Sequence, residues 1–249
     1  MTLHLIRKRA NERAEDALLA MLESPEFAPG DRIPAERDLA QQLDISRMTL
    51  RKAIARLVEQ GALRRDGNRG TFVARPEVSR PLSEHKARGV SSIVELNGGQ
   101  AGSRLLYFEQ TTASPRLARA LDIADGDALL AIRRLRTVDG KPFCVETSYL
   151  PAARVPGLVA ADLIESGSLY RLLESRYRLT PGCDEGTLQS VELSSEDAAL
   201  LELPPGASAL AYRGVVFDST GIPLEYVVSV NHPQRVVFTL SNRKLSIQA

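Results

Sequence analysis

The stretch from Gly30 to Val73 constrains the fold of this chain most, because it joins two short helical patterns to a basic hairpin. The second pattern begins at Ser46, whose hydroxyl can accept a hydrogen bond from the N–H of Met48 or Thr49 and so act as an N-cap. Apolar residues then recur at helical spacing: Leu50, Ala53, Ile54, Leu57 and Val58. Gly61 supplies the left-handed residue that ends such a helix. The stretch therefore predicts a helix with one buried face.

The other faces of this helix are polar and basic. Thr49, Lys52 and Arg56 lie opposite the apolar stripe, and Arg47 and Arg51 flank it. A hairpin follows, in which 63–65 and 71–73 are strand-like and 66–70 has turn chemistry. From Arg47 to Arg75 there are eight basic and two acidic residues, a net charge of +6, whereas the rest of the chain carries −5. We interpret the helix as a recognition helix and the basic hairpin beside it as a wing. This combination predicts binding to double-stranded DNA.

These residues resemble the winged helix-turn-helix of the GntR family of bacterial transcription regulators. The resemblance lies in Pro34-Ala35-Glu36-Arg37-x-Leu39-Ala40, Ser46-Arg47-x-Thr49-Leu50-Arg51-x-Ala53, Gly61 and Gly70-Thr71-Phe72-Val73. It implies that Arg37, Arg47, Thr49, Arg51 and Gly70 contact DNA. The basic residues Lys52, Arg64 and Arg69 are expected on the same surface. Ala35 stands where the family usually has Ser, which weakens a helix cap without removing a residue that reads bases.

The length of 249 residues most often means two domains. The segment from Arg75 to Val90 contains two prolines, several charged residues and almost no large apolar residue, which is typical of a linker. The predicted organisation is a DNA-binding domain at 1–75, a linker at 76–90 and a second domain at 91–249. Helices are predicted from Asn11 to Ser24 and from Ala35 to Leu43. No internal repeat is evident in the sequence.

Several classes of protein are disfavoured. No apolar run approaches membrane-spanning length, and the first residues contain no apolar signal core, so a cytoplasmic location is expected. Cys144 and Cys183 form no CxxC motif, and the three histidines are scattered, so we expect neither a metal nor a cofactor. No nucleophile motif or defined acid–base pair stands out.

The second domain has mixed helix and strand signals. Strands are predicted at 105–111, 129–138, 142–150, 187–193, 210–218, 223–230 and 236–239, with helices at 115–121, 168–177 and after Ser194. Hairpin turns fall at Asp139-Gly140 and Ser219-Thr220-Gly221. Hairpin connections imply an antiparallel sheet with helices beside it, so the fold class is α+β.

The order of these predicted strands, helices and turns resembles that of the effector-binding UTRA domain of the HutC subfamily. The resemblance covers about Gly89 to Leu240, through Asp139-Gly140-x-Pro142, Glu146-x-Ser148-Tyr149-Leu150-Pro151, Gly167-Ser168-Leu169-Tyr170 and Gly221-x-Pro223-x-Glu225-Tyr226. It implies a fold like that of chorismate lyase and a small-molecule effector.

A candidate effector site follows from the strands. Arg134 and Arg136 alternate along one strand and share a face, with Glu146 on the partner strand. Two guanidiniums and a carboxylate can clamp an anionic, hydroxyl-bearing or amine-bearing ligand. By resemblance the effector contacts are Ser92, Ile93, Val94, Arg134, Arg136, Glu146, Ser168, Tyr170, Glu225 and Asn231. The alternative is a solvated ladder of cross-strand ion pairs that binds nothing.

The effector class stays open at this point. The family often has Ser-Phe-Thr-Glu in a loop after the linker, whereas this chain has Ser92-Ile93-Val94-Glu95, without the aromatic ring and the Thr hydroxyl. Asn231 also stands where an aromatic residue is common. Amino-acid-like, carboxylate and heterocyclic metabolites are therefore alternatives to a sugar phosphate.

The leading hypothesis is a metabolite-responsive repressor that binds an inverted-repeat operator as a homodimer. A second hypothesis is an enzyme of chorismate-lyase-like fold with a DNA-binding appendage. A third has the helical, metal-binding effector domain of another GntR subfamily, against which the strand signals argue. An aminotransferase fusion is excluded by the length of the chain.

Overall fold

The computed structural model describes residues 10–22, 24–28, 30–59, 61–74, 77–82 and 87–239. The chain divides into two compact units, Met1–Pro76 and Glu77–Ala249. The N-terminal unit contains α1 (Ala10–Leu22), α2 (Glu36–Gln42), α3 (Arg47–Glu59), β1 (Leu63–Asp66) and β2 (Gly70–Val73). A single 3₁₀ turn, Gly67–Arg69, joins the two strands. This is the predicted winged helix-turn-helix.

The apolar stripes of the three helices form one core in the N-terminal unit. The side chains of Leu18, Leu39, Leu50, Ile54 and Leu57 are fully buried in it. Ser46 caps α3 as predicted, since its Oγ accepts from the N–H of Thr49 at 3.1 Å. Ala35 precedes α2 without a side-chain cap, as the departure at this position predicts. The wing gains a third strand-like segment, because Arg32 bridges to Phe72.

The C-terminal unit is built on a six-stranded antiparallel sheet in the order β4-β5-β6-β9-β8-β7. Its strands are β4 (Ala101–Thr112), β5 (Ala128–Val138), β6 (Lys141–Pro151), β7 (Pro181–Glu192), β8 (Ser208–Asp218) and β9 (Pro223–Asn231). Its helices are α4 (Val90–Leu96), α5 (Pro115–Leu121), α6 (Ala160–Ser166), α7 (Leu169–Tyr177) and α8 (Ser195–Leu200). A separate parallel pair consists of β3 (Val78–Pro81) and β10 (Val236–Thr239). The α+β class is confirmed.

Three elements differ from the sequence-based expectation. Strand β3 lies inside the segment predicted as a linker, because Val78 is fully buried against Phe143 and Val236. The Ser92–Glu95 segment, expected to be a loop, lies in α4. Helix α6 was not predicted at all. Strand β3 exists only through pairing with β10, about 160 residues away in sequence, and local composition carries no trace of such a partner.

The sheet contains an internal repeat that the sequence analysis missed. β4, α5 and β5 begin at Ala101, Pro115 and Ala128, and β7, α8 and β8 begin 80 residues later at Pro181, Ser195 and Ser208. The two copies share turn chemistry, since both helices are capped by a serine and both following turns contain a glycine at positive φ. The two copies meet at the β6–β9 pair in the centre of the sheet.

Each face of the sheet packs on helices. On one face Leu130, Ile132 and Leu150 contact a cluster from α6 and α7, including Leu163 and Leu173. Residues of the opposite parity, such as Leu129 and Leu135, pack with α5 and α8. The effector-site candidates of β5 lie on the first of these faces. Among the described residues, no helix is long and apolar enough to cross a membrane.

Candidate functional site

The recognition helix exposes the side chains that the sequence predicts for DNA contact. Arg47, Arg51 and Lys52 are exposed on α3. Thr49 is half-buried, and its Oγ1 lies 2.8 Å from Ser46 Oγ, within the N-cap. Arg37 on α2 is 77% exposed and pairs only with its neighbour Asp38 among the described residues. These positions offer guanidinium and ammonium groups to solvent around the start of the helix.

Glu36 connects the recognition helix to the wing, a role that the sequence analysis did not assign. Its carboxylate accepts from Arg51 Nε at 2.7 Å and lies 3.5 Å from Arg65 Nη2 of the wing. Exposed ion pairs of this kind add little stability. Their effect is to orient one arginine from each element, so Glu36 is a positioning residue for the basic surface.

The wing holds the remaining predicted DNA contacts. Arg64 lies over the ring of Phe72, with 5.6 Å from its Cζ to the ring centroid. Arg69 is 81% exposed, with Nη1 3.7 Å from Asp66 Oδ2. Gly70 has φ of 118°, and a Cβ at this position would lie 2.8 Å from Arg32 Nε. Glycine is therefore required where the second wing strand begins.

A cleft in the C-terminal unit brings together most of the predicted effector contacts. Arg134, Arg136 and Glu146 are only 3%, 2% and 5% exposed, so the alternative of a solvated ion-pair ladder is wrong. Arg134 Nη2 donates to Glu146 Oε1 and, at 3.3 Å, to Ser148 Oγ. Arg136 Nη1 lies 3.9 Å from the same carboxylate oxygen. One carboxylate thus faces two guanidiniums.

The arginines retain unused hydrogen-bonding capacity. The Nε atoms of Arg134 and Arg136 are buried and have no hydrogen-bond partner among the described residues. Burial, with the like charge of Arg134, lowers the pKa of Arg136 to about 10. Burial alone would raise the pKa of Glu146, but Arg134, Arg136 and Arg80 outweigh it and lower that pKa. The cleft therefore favours an additional anion.

Arg80 is a cleft residue that the sequence analysis missed. Its Nη1 donates to Asn231 Oδ1 at 2.8 Å and to Ser229 Oγ at 3.2 Å. The ring of Phe238 on β10 lies against it, 5.4 Å from Cζ to the centroid. Arg80 lies in the segment that was predicted as a linker, so the sequence analysis assigned it no site. The pairing of β3 with β10 brings it to the cleft wall.

The cleft also contains acidic and phenolic groups. Tyr170 donates its hydroxyl to Glu225 Oε2 at 2.8 Å, and Tyr212 donates to Asp184. Burial, followed by the nearby charge of Glu146, raises the pKa of Glu225. These groups can accept hydrogen bonds from hydroxyl or amine groups of a ligand.

Three predicted contacts lie outside the cleft wall. Ser92 is exposed on α4, Val94 is fully buried in the core beneath it, and Asn231 reaches the cleft only through Arg80. Ile93 does line the cleft, as do Ser168 and Tyr170. The serine that faces the arginines is Ser91, whose Oγ accepts from Arg136 Nη2 at 2.6 Å. The helical form of this segment turns Ser91 rather than Ser92 inward.

The internal repeat offers a comparison within the same chain. The positions of β8 that correspond to Arg134 and Arg136, 80 residues later, are Gly214 and Val216. The second copy of the strand forms without a buried charge at either position. The arginines are therefore not needed to build a strand of this kind, and burying them carries a desolvation penalty that an apolar pair avoids.

Comparison with known proteins identifies a matching family for each of the two units. The sequence matches the bacterial regulatory proteins of the gntR family over residues 10–73 and the UTRA domain over residues 96–236. The transcriptional repressor PhnF of Mycolicibacterium smegmatis is 33% identical over 214 residues, covering 84% of each protein. The repressor NagR of Bacillus subtilis is 29% identical over 238 residues, covering 93% of each.

Solved structures support the same conclusion. The crystal structure of PhnF from Mycobacterium smegmatis aligns with a TM-score of 0.62 at 29% identity, over 92% of this chain and 99% of that one. The matched family and the named repressors are transcription regulators and not enzymes. The third hypothesis, a helical effector domain, is wrong because the C-terminal unit is a sheet. The chain belongs to the gntR family of bacterial regulatory proteins, as a DNA-binding transcription regulator of the HutC type with a C-terminal UTRA domain.

Proposed function

We propose that this regulator is a cytoplasmic homodimeric repressor that binds an inverted-repeat operator and releases it when a small anionic metabolite enters the cleft. The observation that carries the proposal is the pair of buried guanidiniums, Arg134 and Arg136, whose Nε atoms have no partner among the described residues. Buried unpaired donors are unfavourable in the free protein. An anion that accepts from them would relieve that penalty.

The proposed dimer and inverted-repeat operator follow from the small number of base pairs that one recognition helix can contact. One recognition helix contacts only a few base pairs, so a specific operator needs two half-sites. The residues proposed to contact DNA are Arg37, Arg47, Thr49, Arg51, Lys52, Arg64, Arg69 and Gly70. Sedimentation at micromolar concentration should show a dimer, free and with DNA. A monomer under both conditions would contradict this part of the proposal.

The ligand response is assigned to strand β3. β2 of the wing ends at Val73 and β3 begins at Val78, so four residues separate the DNA-binding unit from a strand of the cleft wall. Arg80 on β3 can contact an anion together with Arg134 and Arg136. A ligand that shifts Arg80 shifts the strand that follows the wing in the sequence, and a response requires a different ligand affinity for two arrangements of β3.

The first experiment is a thermal-shift screen of the full chain against anionic metabolites, including sugar phosphates, carboxylates and amino acids. A compound that binds only the folded state raises the melting temperature. Each hit is then added to the complex of the protein with an operator selected from random DNA, and dissociation is followed by fluorescence anisotropy.

The decisive variant is the Arg134→Ala, Arg136→Ala double mutant. It should bind the operator like the wild type but neither gain thermal stability from the hit compound nor release DNA when the compound is added. Arg213→Ala on β8 of the same sheet, whose side chain is not in the cleft wall, serves as the control. Unchanged release by the double mutant would place the effector elsewhere.

A further inference from the structure

The exposed side of the recognition helix carries an apolar side chain at its start. Seven of the thirteen residues of α3 are exposed: Arg47, Met48, Arg51, Lys52, Ala55, Arg56 and Glu59. Met48 and Ala55 are the two apolar members of this set. Met48 is 63% exposed and is the large one. It occupies the second position of the helix, between Arg47 and Thr49.

The direction of Met48 follows from helix geometry. Leu50, Ala53, Ile54 and Leu57 mark the buried side of α3. At about 100° per residue, Met48 points about 170° away from the centre of that side. Glu59 points the same way but is the last residue of the helix. Met48 is therefore the residue of the first turn that projects most directly away from the core.

We propose that Met48 contacts the C5-methyl group of a thymine in each operator half-site and so sets sequence preference at that position. The first turn of a recognition helix is the part that reaches base edges in the major groove. The thymine methyl is the apolar feature that the groove presents. The unbranched Met side chain adapts its shape to such a contact. The inference rests on the proposed binding of an inverted repeat.

Single exposed apolar residues are common on protein surfaces and often do nothing. The position of Met48 separates it from that background. The side chains of two polar neighbours are held by contacts within the domain, since Thr49 Oγ1 lies 2.8 Å from Ser46 Oγ and Arg51 Nε donates to Glu36. Met48 has the outermost direction in the first turn and is its apolar contact, beside the guanidinium of Arg47.

The expected size of the effect follows from burial of one methyl group. Removing a buried methyl weakens binding by about four-fold. Replacing the contacted thymine by deoxyuridine removes only that methyl and leaves base pairing unchanged. The loss should therefore be about four-fold for one half-site and about sixteen-fold when both half-sites are changed, if the two contacts are independent.

The test uses the full chain and a duplex enriched by the wild type from a random-sequence library. Each thymine in the half-sites is replaced in turn by deoxyuridine, and the dissociation constant is measured by fluorescence anisotropy at fixed salt. The wild type should lose about four-fold at one thymine position per half-site. For Met48→Ala the loss at that position should fall below about 1.5-fold, whereas Met48→Leu should keep most of it.

Lys52→Ala is the matched control on the same face. It should weaken binding to thymine and deoxyuridine duplexes equally, because a phosphate contact carries no information on the methyl. Thermal melts of the Met48 variants should match the wild type, since the side chain is exposed. A thymine effect that persists in Met48→Ala, or a selected site without any methyl-dependent thymine, would overturn the proposal. Failure to enrich an inverted repeat would instead overturn the proposed operator.

Discussion

Replacing Glu146 by Gln tests whether this carboxylate compensates the buried positive charge of Arg134 and Arg136. The substitution keeps the shape of the side chain and removes one negative charge, whereas Arg134 and Arg136 stay 3% and 2% exposed. Removing one partner from a buried ion pair typically destabilises a protein by about 3–5 kcal/mol. A Gln oxygen still accepts one hydrogen bond from Arg134, so we expect a loss near the lower end, about 3 kcal/mol.

The distribution of tyrosines makes this loss measurable in the C-terminal unit alone. The chain has no tryptophan, and all six tyrosines, at 107, 149, 170, 177, 212 and 226, lie in that unit. Urea unfolding followed by tyrosine fluorescence therefore reports that unit, whereas circular dichroism reports both. Glu185→Gln on the exposed face of β7 is the control, expected within about 0.5 kcal/mol of the wild type.

The pH dependence provides a second readout. The pKa of Glu146 is lowered in the folded protein, so its contribution is present at neutral pH and is lost as the pH falls through that lowered value. The Gln variant has no carboxylate at this position and so lacks this pH-dependent contribution to stability. The difference in unfolding free energy between the two proteins should therefore shrink in acid. A variant within about 1 kcal/mol of the wild type at pH 7 would refute the buried-charge reasoning.

Four further outcomes are expected. Arg64→Ala and Arg69→Ala should each weaken binding to all DNA sequences and reduce the salt slope by about one, measured as affinity against salt concentration. Gly70→Ala should destabilise the wing, since φ there is 118° and the new Cβ would meet Arg32, and operator affinity should fall. Leu57→Ala should destabilise the N-terminal unit by about 2–5 kcal/mol, visible by circular dichroism and not by tyrosine fluorescence. Burial and then Arg235 lower the pKa of His232 to about 4, so the C-terminal unit should lose stability as the pH falls from about 6.5 to about 4, and His232→Asn should remove that part of the loss.

The DNA-binding unit can be predicted almost completely from its sequence. Its signals are local: the Ser46 cap, the apolar stripe from Leu50 to Leu57 and the turn between β1 and β2 act over a few residues each. Helices and hairpins of this kind follow from periodicity and turn chemistry. The six strands of the main sheet were predicted for the same reason, with ends shifted by up to six residues, as at the start of β7.

The set of polar residues that meet in the cleft depends on contacts between segments that are distant in the sequence. Arg134, Arg136 and Glu146 share a strand face in the sequence pattern, but their burial depends on the elements that pack over that face. Arg80 reaches the cleft because β3 pairs with β10 across about 160 residues, and Ser91 replaces Ser92 because the segment is a helix. Such contacts are fixed by packing between distant segments, so no local period in the sequence records them.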